Sequence, residues 1–208
     1  LGWNPTSDRE IFTRAELTSL FDLSKVNRSG AVMNLEKLDW TNAHYIKELS
    51  LDRYFALCEE RQVFTTPIAT EERLAELRAA EIAKERAVTL NDIAPLIAEV
   101  ELAKPRLEYD AAILIWKKSN ADEAKDRLQG VRAWVLAADA SFFASPATIE
   151  AAIRAWIVAQ GWGNGDTLWP LRVALSGKEK SPSPFELIYV LQKERSLRRI
   201  DDALALLA

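Results

Sequence analysis

The stretch Ser145-Pro-Ala-Thr-Ile-Glu-Ala-Ala-Ile-Arg-Ala-Trp-Ile-Val-Ala-Gln-Gly161 decides the fold class. Its apolar residues Ile149, Ala152, Ile153, Trp156 and Ile157 stand three and four apart, so they share one face of a helix. Ser145 followed by Pro146 reads as an N-cap and a first helical residue, where the amide that proline lacks would have had no partner. Gly161 reads as the stop. Working outward, Leu74, Leu77 and Ile82 repeat the pattern after Thr70-Glu-Glu72, and Leu128, Val131 and Val135 repeat it within 123–138. Strand-type alternation of Val, Ile and Thr is almost absent. The expectation is an all-α chain of helical bundles.

Two helix starts are written out in full. Thr13-Arg-Ala-Glu16 and Ser183-Pro-Phe-Glu186 are capping boxes, in which the hydroxyl accepts the glutamate amide and the carboxylate reaches back. Phe12 and Leu17 stand at the staple positions around the first. The second opens a helix predicted from Pro184 to about Ile200. Its first turns, Phe185-Glu-Leu-Ile-Tyr-Val-Leu191, are apolar nearly all round and are expected to be buried. Breaks near Leu49–Leu51, where Ser50 can cap a helix, and near Ser119–Asn120 divide the chain. The expected units are 1–50 and two helical bundles at 51–118 and 119–208. Thr65-Thr-Pro67 and Gly161-Trp-Gly-Asn-Gly165 read as loops.

With 208 residues, 49% hydrophobic and 28% charged, the chain can bury a core, which excludes disorder and disulfide scaffolds. It opens at Leu1 rather than Met and shows no basic-then-apolar leader, which reads as a piece of something longer. No apolar run approaches the ~20 residues of a membrane helix. The single cysteine suits a reducing cytosol. The net charge of −4 hides a gradient. Residues 1–50 hold 6 basic and 7 acidic groups, residues 51–171 hold 14 and 19, and residues 172–208 hold 7 and 5. A basic end on an acidic body is the asymmetry that matters.

Chemistry is scarce. One His and one Cys cannot build a zinc site. His44, within Trp40-Thr-Asn-Ala-His-Tyr-Ile46, reads as a packing or surface residue, and Cys58, in an apolar helical stretch, as inert core. Gly-x-x-x-x-Gly-Lys and Gly-x-Gly-x-x-Gly phosphate loops are missing. The residues alone describe a helical chain without an active site and with a basic C-terminal part.

Three stretches carry a resemblance. The first comprises Leu1-Gly-Trp-Asn-Pro5, Arg9-Glu-Ile-Phe-Thr13, Ser29-Gly-Ala-Val-Met-Asn-Leu-Glu-Lys-Leu-Asp-Trp-Thr-Asn42 and Tyr45-Ile46. The second is Lys104-Pro-Arg-Leu107. The third comprises Pro170-Leu-Arg-Val-Ala-Leu-Ser-Gly177, Ser181-Pro182, Phe185-Glu186 and Leu191-Gln-Lys-Glu-Arg-Ser-Leu-Arg-Arg-Ile200. Together they resemble the C-terminal half of bacterial glutamyl-tRNA synthetase, a class I aminoacyl-tRNA synthetase. The resemblance implies the end of the stem-contact region followed by an anticodon-binding domain. The His-x-Gly-His element and the Lys-Met-Ser-Lys-Ser-like loop of such enzymes do not occur here. ATP and Mg, and the glutamylation that uses them, are therefore assigned to a catalytic half of the parent enzyme, with no cofactor in this part.

The resemblance also implies roles. Arg172 contacts an anticodon base, and the turn Ser181-Pro182, followed by Ser183, Pro184 and Phe185, reads the central U partly through backbone groups. Arg106 inspects the third base, where an Arg goes with acceptance of C and rejection of G. Lys193, Arg195, Arg198 and Arg199 form a stripe for the RNA backbone. Arg offers a planar fork of donors, and splayed anticodon bases expose edges to it. The family has Gly at the positions of Ser183 and Gln192; with Gln192 the last helix is expected to run on where the family has a kink. The implied partner is tRNA-Glu, bound by a cytoplasmic monomer without DNA or membrane. The rival reading is a helical protein-interaction module without tRNA binding. A basic concave face formed by Arg106, Arg172, Ser181 and Arg195 would favour RNA.

Overall fold

The computed structural model describes residues 3, 9–27, 30, 32–67, 70–117 and 119–208. The expectations that rest on Leu1, Gly2, Asn4, Pro5, Ser29 and Ala31 lie outside the described residues. The described residues form nine α-helices and no strand. They are α1 (Arg14–Leu20), α2 (Leu35–Glu48), α3 (Leu51–Glu60), α4 (Glu71–Lys84), α5 (Ile93–Ala98), α6 (Ala121–Ala137), α7 (Pro146–Ala159), α8 (Asn164–Ser176) and α9 (Pro184–Leu206). None of the described helices is long and apolar enough to cross a membrane.

The helix starts follow from their caps. The Thr13 amide donates to the Glu16 carboxylate at 2.7 Å and Thr13 Oγ1 accepts the Glu16 amide at 3.2 Å. Ser183 and Glu186 repeat both bonds at 2.7 and 3.2 Å. Ser50, Thr70, Asn120 and Ser145 each accept an amide from the first turn of the helix that follows. Such caps contribute about 1 kcal/mol each.

One continuous cluster of buried residues runs from Ile46 to Ala203. At its centre α9 packs against α4, α6, α7 and α8. Ile149, Ile153 and Ile157 of α7 and Leu128, Val131 and Val135 of α6 are closed to solvent, as their spacing requires. Phe185, Leu187, Ile188, Val190 and Leu191 are buried as well.

Four features depart from the sequence reading. The core face of α4 is Ala75, Ala79, Ala80 and Ala83 with Ile82, whereas Leu74 is 50% exposed. Small side chains let α4 lie close to its neighbours, so its largest hydrophobe is not its most buried one. The loop after Gly161 ends at Gly163, since Asn164 and Gly165 already belong to α8. A Cβ at Gly165 would meet Trp116 Nε1 at 2.6 Å, which explains the glycine inside a helix. Helix α9 continues past Ile200 to Leu206. It also breaks at Gln192, with φ 56° and ψ −172°, so the kink is present despite the Gln. Gln192 Nε2 donates to the Tyr189 carbonyl at 2.5 Å, satisfying an acceptor in the turn before the break.

Candidate nucleic-acid interface

The segment between α5 and α6 lies as a strap across the ends of α8 and α9, and its ties are specific. Arg199 of α9 is buried and donates to three carbonyls: Val100 at 3.0 Å, Glu101 at 2.7 Å, and Leu175 at the end of α8. Burial, with Arg195 nearby, pulls the Arg199 pKa down to about 10, so it remains a cation at neutral pH. The Glu101 carboxylate takes Lys178 Nζ at 2.9 Å and Lys104 Nζ at 3.1 Å. Those two bonds, the one from Lys178 first, hold Glu101 below its ordinary pKa. Gly177 ends α8 in the left-handed region at φ 70°, where a Cβ would meet Tyr109 at 3.2 Å and Leu107 at 3.4 Å. The loop of Arg106, the helix end that follows Arg172 and the turn that leads to Ser181 are thereby tied together along one edge.

The residues expected to read bases differ in what they offer. The Arg106 side chain is 62% exposed and reaches Asp202 only at 3.5 Å, so it is available. Arg172 is half-buried, and its Nε is out of solvent with no hydrogen-bond partner. A lone buried donor costs about 1–3 kcal/mol. Ser181 is half-buried and donates to the Pro182 carbonyl at 3.0 Å. Pro182 and Pro184 are buried and shape the turn. Phe185 corrects the reading: it is 4% exposed, its ring lies in the core, and the Arg154 guanidinium stands 5.2 Å from its centroid. It offers no face for a base to stack on. Ser183 sits at φ −61°, which any residue adopts, and caps α9.

The backbone-contact stripe divides. Arg198 is exposed and has neither hydrogen bond nor ion pair among the described residues. Arg195 is half-buried with Glu72 at 3.4 Å, and Lys193 Nζ donates to the Ala138 carbonyl at 2.8 Å. Arg199 is a second correction, because its guanidinium is taken up by three carbonyls of the strap and α8 rather than held free for a phosphate. Arg195 and Arg198 join Lys104 and Pro105 around a cavity of about 120 Å³. Of the four residues expected to form a concave basic face, only Arg195 lines it; Arg106, Arg172 and Ser181 do not.

The residues read as inert behave so. Cys58 is buried, and burial pushes its thiol pKa up. His44 stacks on Trp40 with centroids 6.0 Å apart. The ties that sequence reasoning missed are Glu101 and Lys178. Nothing local marks a carboxylate and an ammonium that far apart in the chain as a pair.

Comparison with known proteins fits this geometry. The family model described as the anticodon binding domain matches residues 50–204. The glutamate–tRNA ligase of Lachnoclostridium phytofermentans is 33% identical over 204 residues, covering 96% of this chain and 39% of that protein. The glutamate–tRNA ligase of Clostridium novyi is 35% identical over 212 residues, covering 96% and 40%. The crystal structure of a glutamate tRNA ligase from Elizabethkingia meningosepticum in complex with its amino acid superposes with a TM-score of 0.70 at 25% identity. That alignment covers 100% of this chain and 39% of the other. The chain spans about two-fifths of the length of these relatives. From the cap of α3 to the last turns of α9, it belongs to the anticodon-binding domain family.

Proposed function

We propose that this chain is the anticodon-reading part of a glutamate–tRNA ligase and that its partner is tRNA-Glu. One observation carries the reading. The loop of Arg106, the end of α8 and the turn at Ser181 are fixed to one another by Arg199, Glu101 and Gly177, so three segments that each hold a base-reading group share one edge. Arg106, exposed and weakly paired, is poised to reach the third base, with C accepted over G. Arg172, half-buried near the end of α8, takes another anticodon base through its guanidinium. The Ser181-Pro182 turn presents backbone groups to the central U. Two prolines stiffen it, which lowers the ordering cost on binding. Arg198, with Arg195 and Lys193, lies against the RNA backbone.

In this reading the chain supplies binding free energy and specificity. The described residues contain no cluster of three metal-ligating side chains. ATP, Mg and the joining of glutamate to tRNA belong to the part of the relatives beyond the matched length. The same reading makes the working protein a cytoplasmic monomer that engages neither DNA nor membrane. The family match and the named relatives lend the interaction-module reading no support.

The test is binding to tRNA-Glu and tRNA-Gln transcripts at two salt concentrations. Arg106→Gln and Arg172→Ala should each weaken tRNA-Glu binding by about 5- to 150-fold, since a lost bidentate contact costs about 1–3 kcal/mol. Equal affinity for both tRNAs would remove the discriminating role of Arg106. Absence of binding by the folded chain, alone and within the full-length ligase, would overturn the reading.

A further inference from the structure

A larger cavity, about 650 Å³, opens between α4, the short turn Ala140–Ala144 and the break in α9. Arg195 and Arg198 line both this cavity and the smaller one beside Lys104, so they form the ridge between them. Its walls include Leu74, Ala75, Phe143, Val190 and Leu191. Leu74, left out of the core of α4, is thus exposed to this cavity. Arg106, Arg172 and Ser181 do not line it.

The charges around it can be sorted by what already uses them. The Asp139 carboxylate accepts the amides of Ser141 at 2.9 Å and Phe142 at 3.3 Å. Glu72 faces Arg195 at 3.4 Å, and Lys193 holds the Ala138 carbonyl. Four lining groups remain with neither hydrogen bond nor ion pair among the described residues: the cations Arg78 and Arg198 and the carboxylates Glu71 and Glu194. A fitting ligand therefore has an apolar flat body, amino donors for the carboxylates and one compact anionic group for an arginine. The volume falls within the range of small-ligand pockets.

We propose that this cavity binds a single nucleotide whose base carries an exocyclic amino group, with the base against Leu74 and Ala75 and its phosphate at Arg198. Guanidinium forks match phosphate geometry, and carboxylates accept from base amino groups. Cytosine, adenine and guanine nucleotides fit, and uracil, which has no amino group, fits poorly. The two free carboxylates oppose added negative charge, so a monophosphate binds better than a triphosphate. The nucleotide comes either free or as an unstacked residue of an RNA strand. The site shares Lys193, Arg195 and Arg198 with the proposed backbone-contact stripe, while the base readers Arg106, Arg172 and Ser181 lie outside it.

The experiment titrates the whole chain with CMP, AMP, UMP, CTP, cytidine and a four-residue single-stranded RNA. Two variants at exposed positions, Arg198→Gln and Leu74→Glu, probe the two halves of the site, and Arg106→Gln is the control. CMP or AMP binding at least about fivefold tighter than UMP, cut about tenfold by each cavity variant and unchanged by the control, supports the free nucleotide. Binding of the short RNA alone, with the same response to the variants, supports the RNA residue. No binding in either arm, cytidine binding as tightly as CMP, or binding that survives both cavity variants overturns the proposal. Loss of tRNA binding in Arg106→Gln but not in Leu74→Glu leaves the anticodon reading intact while removing the cavity as a tRNA subsite.

Discussion

Replacing Gln192 by Gly and, separately, by Ala inverts a rule that holds elsewhere in the same protein. In a regular helix interior Gly is about 1 kcal/mol worse than Ala, and Ala151→Gly on the exposed face of α7 should cost that much. At Gln192 the backbone sits at φ 56° and ψ −172°, a region essentially reserved for Gly. A side chain held there costs about 1–3 kcal/mol. Both variants lose the bond from Gln192 Nε2 to the Tyr189 carbonyl, a common loss of about 0.5–1.5 kcal/mol. Only Gly relieves the strain, and it gives back about 0.4–1 kcal/mol through the freer unfolded chain. Taking the middle of each range, Gln192→Gly should be more stable than Gln192→Ala by about 1.3 kcal/mol. In a chain of this size that is roughly 3–5 °C in Tm. Urea or thermal unfolding of the three variants reads it directly. If Gln192→Ala proves the more stable by about 1 kcal/mol, as in a continuous helix, the break at Gln192 is not the state of the folded protein.

The remaining expectations concern the clamp, the core and the RNA edge. Arg199→Met leaves the carbonyls of Val100, Glu101 and Leu175 without their donor and should cost about 3 kcal/mol or more, whereas Arg198→Gln should stay within about 0.5 kcal/mol. Equal stability with equally weakened RNA binding in the two variants would make Arg199 a phosphate ligand after all. Burial alone would raise the Glu76 pKa, but bonds from the hydroxyls and amides of Thr65 and Thr66 outweigh it and hold the carboxylate below its ordinary value. Its folded pKa lies under its unfolded one, so its stabilisation is present at neutral pH and lost as pH falls through the carboxylate range. Glu76→Gln should cost about 2 kcal/mol at pH 7 and progressively less in acid; a pH-independent cost, read by urea melts, would sink this account. Ile153→Ala should cost about 2–5 kcal/mol and Leu74→Ala under about 1, which chemical denaturation separates; comparable costs would return Leu74 to the core. With Lys193, Arg195 and Arg198 against the RNA backbone, log K against log salt should slope at about −2; a slope near −5 would mean that further cations also neutralise phosphates.

What the sequence made legible was what short-range chemistry determines. A capping box is closed within four residues, so Thr13 and Ser183 announce their helices without reference to anything distant. The isoleucines of α7 recur three and four apart on one face, while the exposed face is mostly small residues with Thr148 and Arg154, so periodicity finds the buried side. In α4 the face that packs is built from alanines, and size misleads, because close approach rewards a small side chain that transfer energies rank low. The break at Gln192 carries no local mark, since Gln is at ease in a helix. What fixes the conformation is tertiary: Tyr189, before the break, is tied to Glu81, and Lys193, after it, to the Ala138 carbonyl. Arg199 was misplaced for the same reason. Its neighbours Arg195 and Arg198 face outward, and only the arrival of Val100 and Leu175 from distant parts of the chain makes the third position an interior one.

The placement of Arg199 bears on how an acidic chain would read RNA in the proposed function. A net charge of −4 gives no long-range attraction, and a diffuse basic surface would be the obvious remedy. Arg199, a buried arginine, is used differently. An exposed cation on a helix contributes one counterion's worth of affinity, alike for every sequence and weakened by salt. The same group, buried across three carbonyls, fixes the loop of Arg106 against the end of α8 and so, in the proposed function, sets the spacing at which two arginines would meet two different bases. Base discrimination depends on that spacing, because a bidentate fork displaced by an ångström loses its second bond. Since charges beyond about 10 Å are screened at ordinary salt, the acidic body does little to oppose a few well-held cations at its edge. In that reading, specificity rests on rigidity rather than on charge.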